Sequence, residues 1–233
     1  MVRSTAGKGR ADKAGRARAS RKQRSSLRRR RGTQIARTVM VEAAATLFAH
    51  RGYHGTTIEL IADAAGYSPA AIYKHFRNKE ELFACLWTEM ADRLRQVFVE
   101  GGTLELPFVF KLRWVVTRLS KLLETNPEML IAFLAQRPHI ARRAQSELER
   151  QASLHYRRYN DQVVAFVEQG IAEAVLREGP ADDFALLFIG LLQAFAYRWI
   201  VSEGGVDISA HNARLIELFL GGAGRGPVAE GGR

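Results

Sequence analysis

Residues that break helices are placed at the two ends of this 233-residue chain and at a few spaced positions within it. Ten of the 20 glycines lie in residues 1–32 and 221–233. Four of the six prolines stand where a helix could begin: Pro69, Pro107, Pro127 and Pro180. Proline fits the first turn of a helix because its missing N–H would have no partner there in any case. The chain between the tails is therefore predicted to be all-α.

Local signals mark the first two helices after residue 32. Apolar residues recur at helical spacing from Met40 to Phe48, and Gly52 ends that segment. Thr56 and Glu59 have the spacing of a capping box, in which a hydroxyl and a carboxylate accept hydrogen bonds from free N–H groups of the first turn. We expect this box to begin the second helix.

The next two helices are marked in the same way. Ser68 and Pro69 begin a third helix that is very short, while Asn78 and Glu81 form a second capping box at the start of a long fourth helix. A competing prediction concerns VFVEGGTLELP, residues 97–107, where two glycines between apolar runs could mark a β-hairpin. We favour helix because neither flank alternates for long.

The longer part of the chain shows periodic apolar runs without a diagnostic motif. Helices are predicted over five segments: about 106–125, 126–136, 143–178, 181–202 and 209–220. The run FALLFIGLLQAFAYRWIV is about 18 residues long, the lower limit for crossing a bilayer. Gln193 and Arg198 interrupt it, so we favour a helix that is buried both on its own core and on a second copy of the chain.

Positive charge is concentrated at the amino end. Residues 1–31 hold 13 Lys and Arg against the single acid Asp12, a net charge of +12, whereas the whole chain carries +11 and the remainder therefore carries −1. Such a segment has too few large apolar residues to bury, so we expect residues 1–32 to form a disordered basic arm. A targeting leader and a misassigned start codon are alternatives, and Glu42 argues against export.

Several other classes of protein lack support in the sequence. A single cysteine, Cys85, excludes an intramolecular disulfide framework and multi-cysteine metal sites. Neither His139 nor His155 has a carboxylate or a second histidine three or four residues later, so no metal site is predicted. The sequence contains no glycine-rich phosphate loop, nucleophile elbow or catalytically spaced His or carboxylate pair. We therefore predict no enzymatic activity and no cofactor.

The second and third predicted helices are short and are joined by a tight turn at Gly66. Two small residues, Ala62 and Ala65, allow their backbones to cross closely. This is the pattern of a helix-turn-helix, whose second helix enters the major groove of DNA. The third helix has only a thin apolar side, Ile72 and Phe76, as expected if its other faces meet DNA rather than protein.

Residues 36–87 resemble the DNA-binding domain of the TetR family, the tetracycline-repressor-like transcriptional regulators of bacteria. The likeness runs through EAAATLFAHRGYHGTTIELIADAAGYSPAAIYKHFRNKEELF. The elements of the family pattern occur there in order: a helix followed by Gly and an aromatic, a Thr-Thr cap, Ile-Ala, Ala-Gly, Tyr-x-His-Phe and Lys-Glu-x-Leu.

The resemblance implies which residues contact DNA: Thr57, Ser68, Pro69, Ala70, Ala71, Tyr73, Lys74, His75 and Lys79. Thr57, Tyr73 and Lys79 would hold phosphates, and His75 would lie on the DNA backbone or a base edge. The variable base-reading positions hold one proline, two alanines and Lys74. Apolar contact with thymine methyl groups is therefore expected there, except through Lys74, which could reach a guanine.

By the same resemblance, the helices after the fourth would bind a ligand, and the last two would pair with their mates in a four-helix bundle. Polar and aromatic residues are predicted to contact the ligand: Arg113, Trp114, Phe133, Tyr159, Asn160 and Gln193. Apolar residues of the last two helices are predicted to form the dimer interface: Phe188, Leu192, Phe195 and Leu215.

The predicted organisation has four parts: a basic arm at 1–32, a three-helix helix-turn-helix domain at 33–84, a larger helical ligand-binding and dimerisation domain at 85–220, and a flexible tail at 221–233. The predicted function is that of a cytoplasmic, homodimeric repressor, without a membrane partner. It would bind a near-palindromic double-stranded DNA operator and be released by a small apolar or amphipathic effector. The alternative is an architectural DNA-binding protein that acts mainly through its arm and prefers no site.

Overall fold

The computed structural model describes residues 6–135, 147–202 and 208–224. These residues form nine helices: α1 (Ala6–Arg51), α2 (Ile58–Ala65), α3 (Pro69–Tyr73), α4 (Lys79–Gly102), α5 (Phe108–Thr125), α6 (Pro127–Ala135), α7 (Glu147–Ala172), α8 (Ala181–Val201) and α9 (Ile208–Ala223). The described ranges contain no strand and only one isolated bridge, between Leu176 and Gly224. The predicted all-α fold is confirmed.

The start of α2 corrects one sequence-based detail. The N-cap is Thr57, whose hydroxyl oxygen accepts a hydrogen bond from the Leu60 N–H at 3.3 Å. The predicted cap, Thr56, is buried instead and donates its hydroxyl to the Gly52 carbonyl at 2.9 Å. The predicted Thr56–Glu59 capping box is therefore wrong by one residue, because the first of two adjacent threonines is used to close the end of α1.

The predicted starts of α3 and α4 are confirmed. The Ser68 hydroxyl oxygen accepts a hydrogen bond from the Ala71 N–H at 3.2 Å, and Pro69 occupies the first turn of α3. The Asn78 amide oxygen accepts from the Glu81 N–H at 2.8 Å. In turn, the Glu81 carboxylate accepts a hydrogen bond from the Arg77 N–H at 2.7 Å. Two backbone N–H groups at the start of α4 are therefore paired with side chains.

Two helix ends in the longer part of the chain can be compared with the predictions from the sequence. Helix α4 continues to Gly102, so the helix favoured over the 97–107 hairpin is confirmed. The predicted helix 143–178 is too long at its carboxyl end, because α7 stops at Ala172. There the Gly170 carbonyl accepts from the N–H groups of both Val175 and Leu176 at 3.0 Å, which turns the chain.

The two predicted tails differ from the structure in extent. Helix α1 continues back to Ala6, through most of the predicted disordered arm. A helix that is already nucleated extends at little cost through Arg, Lys and Ala, which have good helix propensity. Disorder of the free arm in solution stays a prediction. At the other end, α9 runs to Ala223, and its carbonyl accepts a hydrogen bond from the Arg177 N–H at 2.9 Å; residues 225–233 lie outside the described residues.

Two hydrophobic clusters form the core. The first joins α1, α2, α3 and the amino half of α4 with α6. The second joins the carboxyl half of α4 with α5, α7, α8 and α9. Helix α4 packs along α7 and contributes to both clusters, so one continuous helix connects the helix-turn-helix to the larger helical body.

Candidate nucleic-acid interface and ligand cavity

The helix-turn-helix is built by α2, a tight turn and α3. Gly66 has a φ of 70°, a left-handed conformation that glycine adopts without steric cost. The Tyr67 N–H then bonds to the Ala62 carbonyl at 2.8 Å, closing the end of α2. Ile61 and Ala62 are fully buried in the same hydrophobic cluster as Ile72 of α3, so α2 and α3 share one core.

Helix α3 is attached by few apolar contacts. Ile72 is its one fully buried residue, and Phe76, directly after it, is buried as well. Most of the residues predicted to contact DNA are exposed on or beside α3: Ser68, Pro69, Ala70, Tyr73 and Lys74. The Tyr73 side chain is 54% exposed despite its aromatic ring. This is the arrangement expected of a helix whose outer face is free to enter a groove.

Two of the hydroxyls predicted to contact DNA already have a structural role. The oxygens of Thr57 and Ser68 accept hydrogen bonds from the first turns of α2 and α3. Each hydroxyl keeps its own hydrogen for donation, so one side chain can cap a helix and still donate to a phosphate oxygen. His75 is half-buried, and its predicted contact with DNA stays a prediction.

Lys79 has contacts within the chain that the sequence did not predict, and its phosphate contact stays a prediction. Its ammonium group donates to the carbonyls of Tyr53 and Thr56, both at 2.8 Å, and lies 4.3 Å from the centre of the Tyr53 ring. These bonds tie the start of α4 to the turn before α2. Burial and then the nearby Glu80 carboxylate raise the pKa of Tyr53 above its ordinary value. In the unbound chain Lys79 therefore holds the scaffold together, and two of its three hydrogens are already used.

Arg37 is a residue of this region that the sequence analysis missed. It lies on α1, and its guanidinium contacts His75, Phe76 and Cys85 near the end of α3 and on α4. These contacts could not be predicted from the sequence because the partners of Arg37 are 38 to 48 positions away in the chain. No local spacing rule pairs residues at that separation.

A cavity of about 90 Å³ lies where the two hydrophobic clusters meet. Leu130 and Phe133 of α6 line it from the first cluster, and Ile189 and Leu215 line it from the second. Polar side chains also reach it: Ser120, Gln193, Arg198, His211 and Asn212. The Ser120 hydroxyl donates to the Asn212 amide oxygen at 2.6 Å, which leaves the Asn212 NH₂ group available as a donor.

The structure brings together half of the predicted ligand-contacting residues. Phe133, Tyr159 and Gln193 line the cavity. Three others are outside its lining: Arg113, Trp114 and Asn160. Arg113 is exposed on α5, because the polar face of that helix points away from the cavity. The structure therefore places Arg113 away from this cavity, and its contact with a ligand stays a prediction.

The predicted dimer-interface residues face inward. Phe188 has no exposed area and packs against Phe98 and Phe219, and Leu215 is also buried. Leu192 and Phe195 line the cavity. Their role in a dimer interface stays a prediction, because the sequence of a helix that is apolar all round does not show which side its own core covers.

The outward face of α8 is a different stripe, at the spacing of successive helical turns. Leu186 is 67% exposed, Tyr197 is 68% exposed, and both Gly190 and Val201 are exposed in line with them. Among the described residues, α8 is the one helix that is long and apolar enough to cross a bilayer. In its most apolar stretch of 18 residues, 28% is buried within the chain. Core helices of soluble proteins meet the same criteria, so this is weak evidence for a membrane span.

His155 lies beside one carboxylate on a neighbouring helix. Its Nδ1 lies 3.2 Å from a carboxylate oxygen of Asp92, which links α7 to α4. His139 lies outside the described residues. Within the described ranges there is no cluster of three or more His, Cys, Asp or Glu side chains that could hold a metal ion.

Comparison with known proteins gives consistent matches. A model of the tetR family of bacterial regulatory proteins matches residues 40–86. The HTH-type transcriptional repressor AcnR of Corynebacterium diphtheriae is 32% identical over 147 residues, which cover 60% of this chain and 76% of AcnR. That degree of identity and coverage is enough to assign a family.

Solved structures share the fold. The fatty acid degradation regulator FadR of Bacillus halodurans superposes with a TM-score of 0.70 at 22% identity, covering 80% of this chain and 95% of FadR. The transcriptional regulator FadR of Bacillus subtilis, solved in complex with stearoyl-CoA, gives a TM-score of 0.67 at 21% identity, covering 79% and 98%. Both comparisons support a helix-turn-helix followed by a larger helical body.

Proposed function

The chain belongs to the tetR family of bacterial regulatory proteins, and on that basis we propose that it is a cytoplasmic repressor that a small apolar or amphipathic molecule releases from its operator. The observation that carries this proposal is the helix-turn-helix. Helix α3 is capped at its start, anchored by two buried residues and otherwise free to enter a major groove.

On this proposal the protein recognises its operator through polar contacts and through apolar contacts. Thr57, Ser68, Tyr73 and Lys74 carry donors for phosphate oxygens or base edges, and these positively charged and polar contacts fix the register on the duplex. The apolar surfaces of the residues at the start of α3 suit contact with thymine methyl groups. One such helix buries little surface, so specific binding requires two of them.

We therefore infer a two-fold dimer on a near-palindromic operator. The outward stripe of α8, with Leu186, Gly190, Tyr197 and Val201, supplies an apolar face, and the exposed Leu218 of α9 lies on the neighbouring helix. Large exposed apolar residues in line along one helix are typical of a surface that a partner covers. A second copy satisfies this need and also brings two α3 helices onto one side of the DNA.

Induction is proposed to occur at the cavity between the clusters. Its volume of about 90 Å³ is below the roughly 300–1,000 Å³ of ordinary ligand sites, so an effector must enlarge it. An apolar body suits Leu130, Phe133 and Ile189, and a polar group suits the Gln193 amide and the Asn212 NH₂ group. The stearoyl-CoA bound to the B. subtilis regulator is one amphipathic molecule of this general kind.

Enlarging the cavity would also disturb the DNA-binding core. Phe133 stacks on Trp87 with ring centres 4.6 Å apart, and its carbonyl accepts a hydrogen bond from the Trp87 indole N–H at 3.3 Å. Trp87 is buried in the first cluster together with α1 and α2 residues. A ligand that moves Phe133 therefore acts on the packing that positions α3.

Selection of bound duplexes from random DNA tests the proposed function. We expect one near-palindromic site that binds at least a thousandfold tighter than scrambled DNA, as specific regulators do. Lys74→Met should weaken this binding. Equal affinity for selected and scrambled DNA would favour the alternative of an architectural protein.

A deletion of residues 1–32 measures the share of binding that comes from the arm. If about half of its charges meet phosphates, the slope of log affinity against log salt should become flatter by about 5 per subunit. Site preference should survive the deletion. An unchanged slope would show that the arm takes no part in DNA binding.

The proposed induction makes a reciprocal prediction. A ligand that lowers operator affinity must have its own affinity lowered by operator DNA by the same factor. Calorimetric titrations of an amphipathic probe such as a medium-chain acyl thioester, with and without operator, should show this symmetry. Equal probe affinity in both titrations would rule out release by that probe.

A further inference from the structure

We propose that Arg37 is a positioning residue for DNA reading, which sets the orientation of α3 without itself contacting DNA; this rests on the proposed operator binding. One guanidinium nitrogen donates to the His75 carbonyl at 3.2 Å, at the point where the chain leaves α3. The other lies 3.2 Å from the Cys85 sulfur on α4. The guanidinium carbon also lies 4.3 Å from the centre of the Phe76 ring.

The need for such a contact follows from the way α3 is attached. Ile72 and Phe76 are the buried residues that anchor this segment in the first cluster, and the small side chain of Ala71 packs partly against it. These few apolar contacts resist separation of α3 from the body but resist its rotation and tilt much less. A planar guanidinium with several fixed donors defines an orientation that apolar packing does not.

Arg37 is suited to this task by its own location. It is half-buried on α1, the helix that packs against both α2 and α4. Its three contacts reach the end of α3 and the body of α4 at once. It therefore joins the reading helix to two elements of the scaffold, in the way that Lys79 joins the start of α4 to the turn before α2.

The experiment compares variants of the full chain on the selected operator and on scrambled DNA, each at several salt concentrations. For Arg37→Met we expect about a tenfold loss of operator affinity, as for the loss of a hydrogen bond from a charged donor. Scrambled-DNA affinity and the salt slope should stay within error of the wild type, because no phosphate contact is lost.

Two further variants separate a positioning role from a phosphate contact. Arg37→Lys keeps the charge but cannot reach all three partners, so it should also lose operator affinity; a phosphate contact would survive this change. Arg77→Met is the matched control, since its parent side chain is a cation beside α3 that is 93% exposed. It should weaken binding to both DNAs and flatten the slope by about 0.9 per subunit.

The outcomes decide the proposal even if Arg37→Met fails to fold, because Arg37→Lys then carries the test. Operator binding by Arg37→Lys equal to wild type, or an equal loss by Arg37→Met on both DNAs with a flatter slope, would overturn it. If the wild-type chain prefers no DNA sequence, the proposed function fails first. If it does prefer a site and the Arg37 variants bind that site normally, only this inference fails.

Discussion

The helix-turn-helix region and the larger helical body differ in how the starts of their helices are determined. In the first, three caps are formed by side chains that lie three residues from their partners, at Thr57, Ser68 and Asn78. In the second, neither α5 nor α8 has a side-chain cap, and both begin after a proline. Short-range sequence signals therefore determine the helix starts in the first region, whereas packing between distant segments determines the arrangement of the second.

This difference has a functional side. The proposed DNA-reading surface consists of residues that no described part of the chain covers, such as the exposed Tyr73 and Lys74. The cavity consists of residues brought together from six helices, such as Ser120 of α5 and Asn212 of α9. A recognition surface can thus be inferred along one short stretch, while a ligand site depends on the whole arrangement of helices.

The sharpest test of this contrast is a pair of substitutions on α8. Phe188→Ala should lower the free energy of unfolding by about 3–5 kcal/mol, because the ring is fully buried between Phe98 and Phe219. Leu186→Asp, two residues away, should keep the fold but give a sedimentation mass near 26.1 kDa instead of twice that value. Urea denaturation and sedimentation measure the two effects. A folded, monomeric Phe188→Ala protein would contradict the assignment of the two faces.

A second pair compares two lysines of the DNA-binding region. Lys79→Met should lower the free energy of unfolding by about 2 kcal/mol, because two charged hydrogen bonds to the Tyr53 and Thr56 carbonyls are lost. Lys74→Met should leave stability within about 0.5 kcal/mol of wild type, as for an exposed substitution. Its effect should be on DNA affinity. Denaturation curves showing equal stability for both variants would remove the structural role of Lys79.

A smaller effect is expected at the cap of α2. Thr57→Ala should cost about 1 kcal/mol because the Leu60 N–H loses its partner, whereas Thr57→Ser should retain the cap. Thermal unfolding of the two variants compares them directly. If Thr57→Ala matches Thr57→Ser in stability, the hydroxyl contributes nothing as a cap.

The smallest effect concerns the chemistry of Cys85. Burial, followed by the nearby Glu89 carboxylate, raises the pKa of Cys85 to about 11, although Arg37 opposes this. Thiolate is the reactive form, and at pH 8 only on the order of one Cys85 side chain in a thousand is ionised at any moment, so alkylation should be slow. Alkylation of the folded chain should therefore accelerate about tenfold per pH unit up to about pH 11. The same reaction in urea supplies the control, and a folded-state rate that levels off near pH 8.5 would contradict the raised pKa.

The sequence was informative where the relevant partners are close along the chain. The all-α fold, the short α3 and the caps at Ser68 and Asn78 depend on neighbours within four residues. Even there, two adjacent threonines led to the wrong cap, because each could accept the same kind of bond. The scaffold contacts of Arg37 and Lys79 could not be predicted, since their partners lie at least 23 positions away.

The cavity and the dimer face were less predictable for a different physical reason. The sequence of α8 is apolar on all sides, so the hydrophobic pattern does not distinguish Phe188, which is buried, from Leu186, which is exposed. Only the positions of α4, α7 and α9 around it decide which side is covered. Phe133, Tyr159 and Gln193 line the cavity, as aromatic and amide side chains on apolar helices often do, whereas Arg113, predicted as a polar residue on an apolar stretch, lies outside the lining.

The stacked pair at the border of the two clusters also has an optical consequence. The chain has three tryptophans. Trp87 lies against the Phe133 wall of the cavity, Trp199 lines the cavity itself, and Trp114 lies outside its lining, within 5.6 Å of the Arg118 guanidinium. Any molecule that enlarges the cavity changes the surroundings of two indoles and leaves the third as an internal reference, so the native protein reports its own occupancy by ultraviolet emission without an added label.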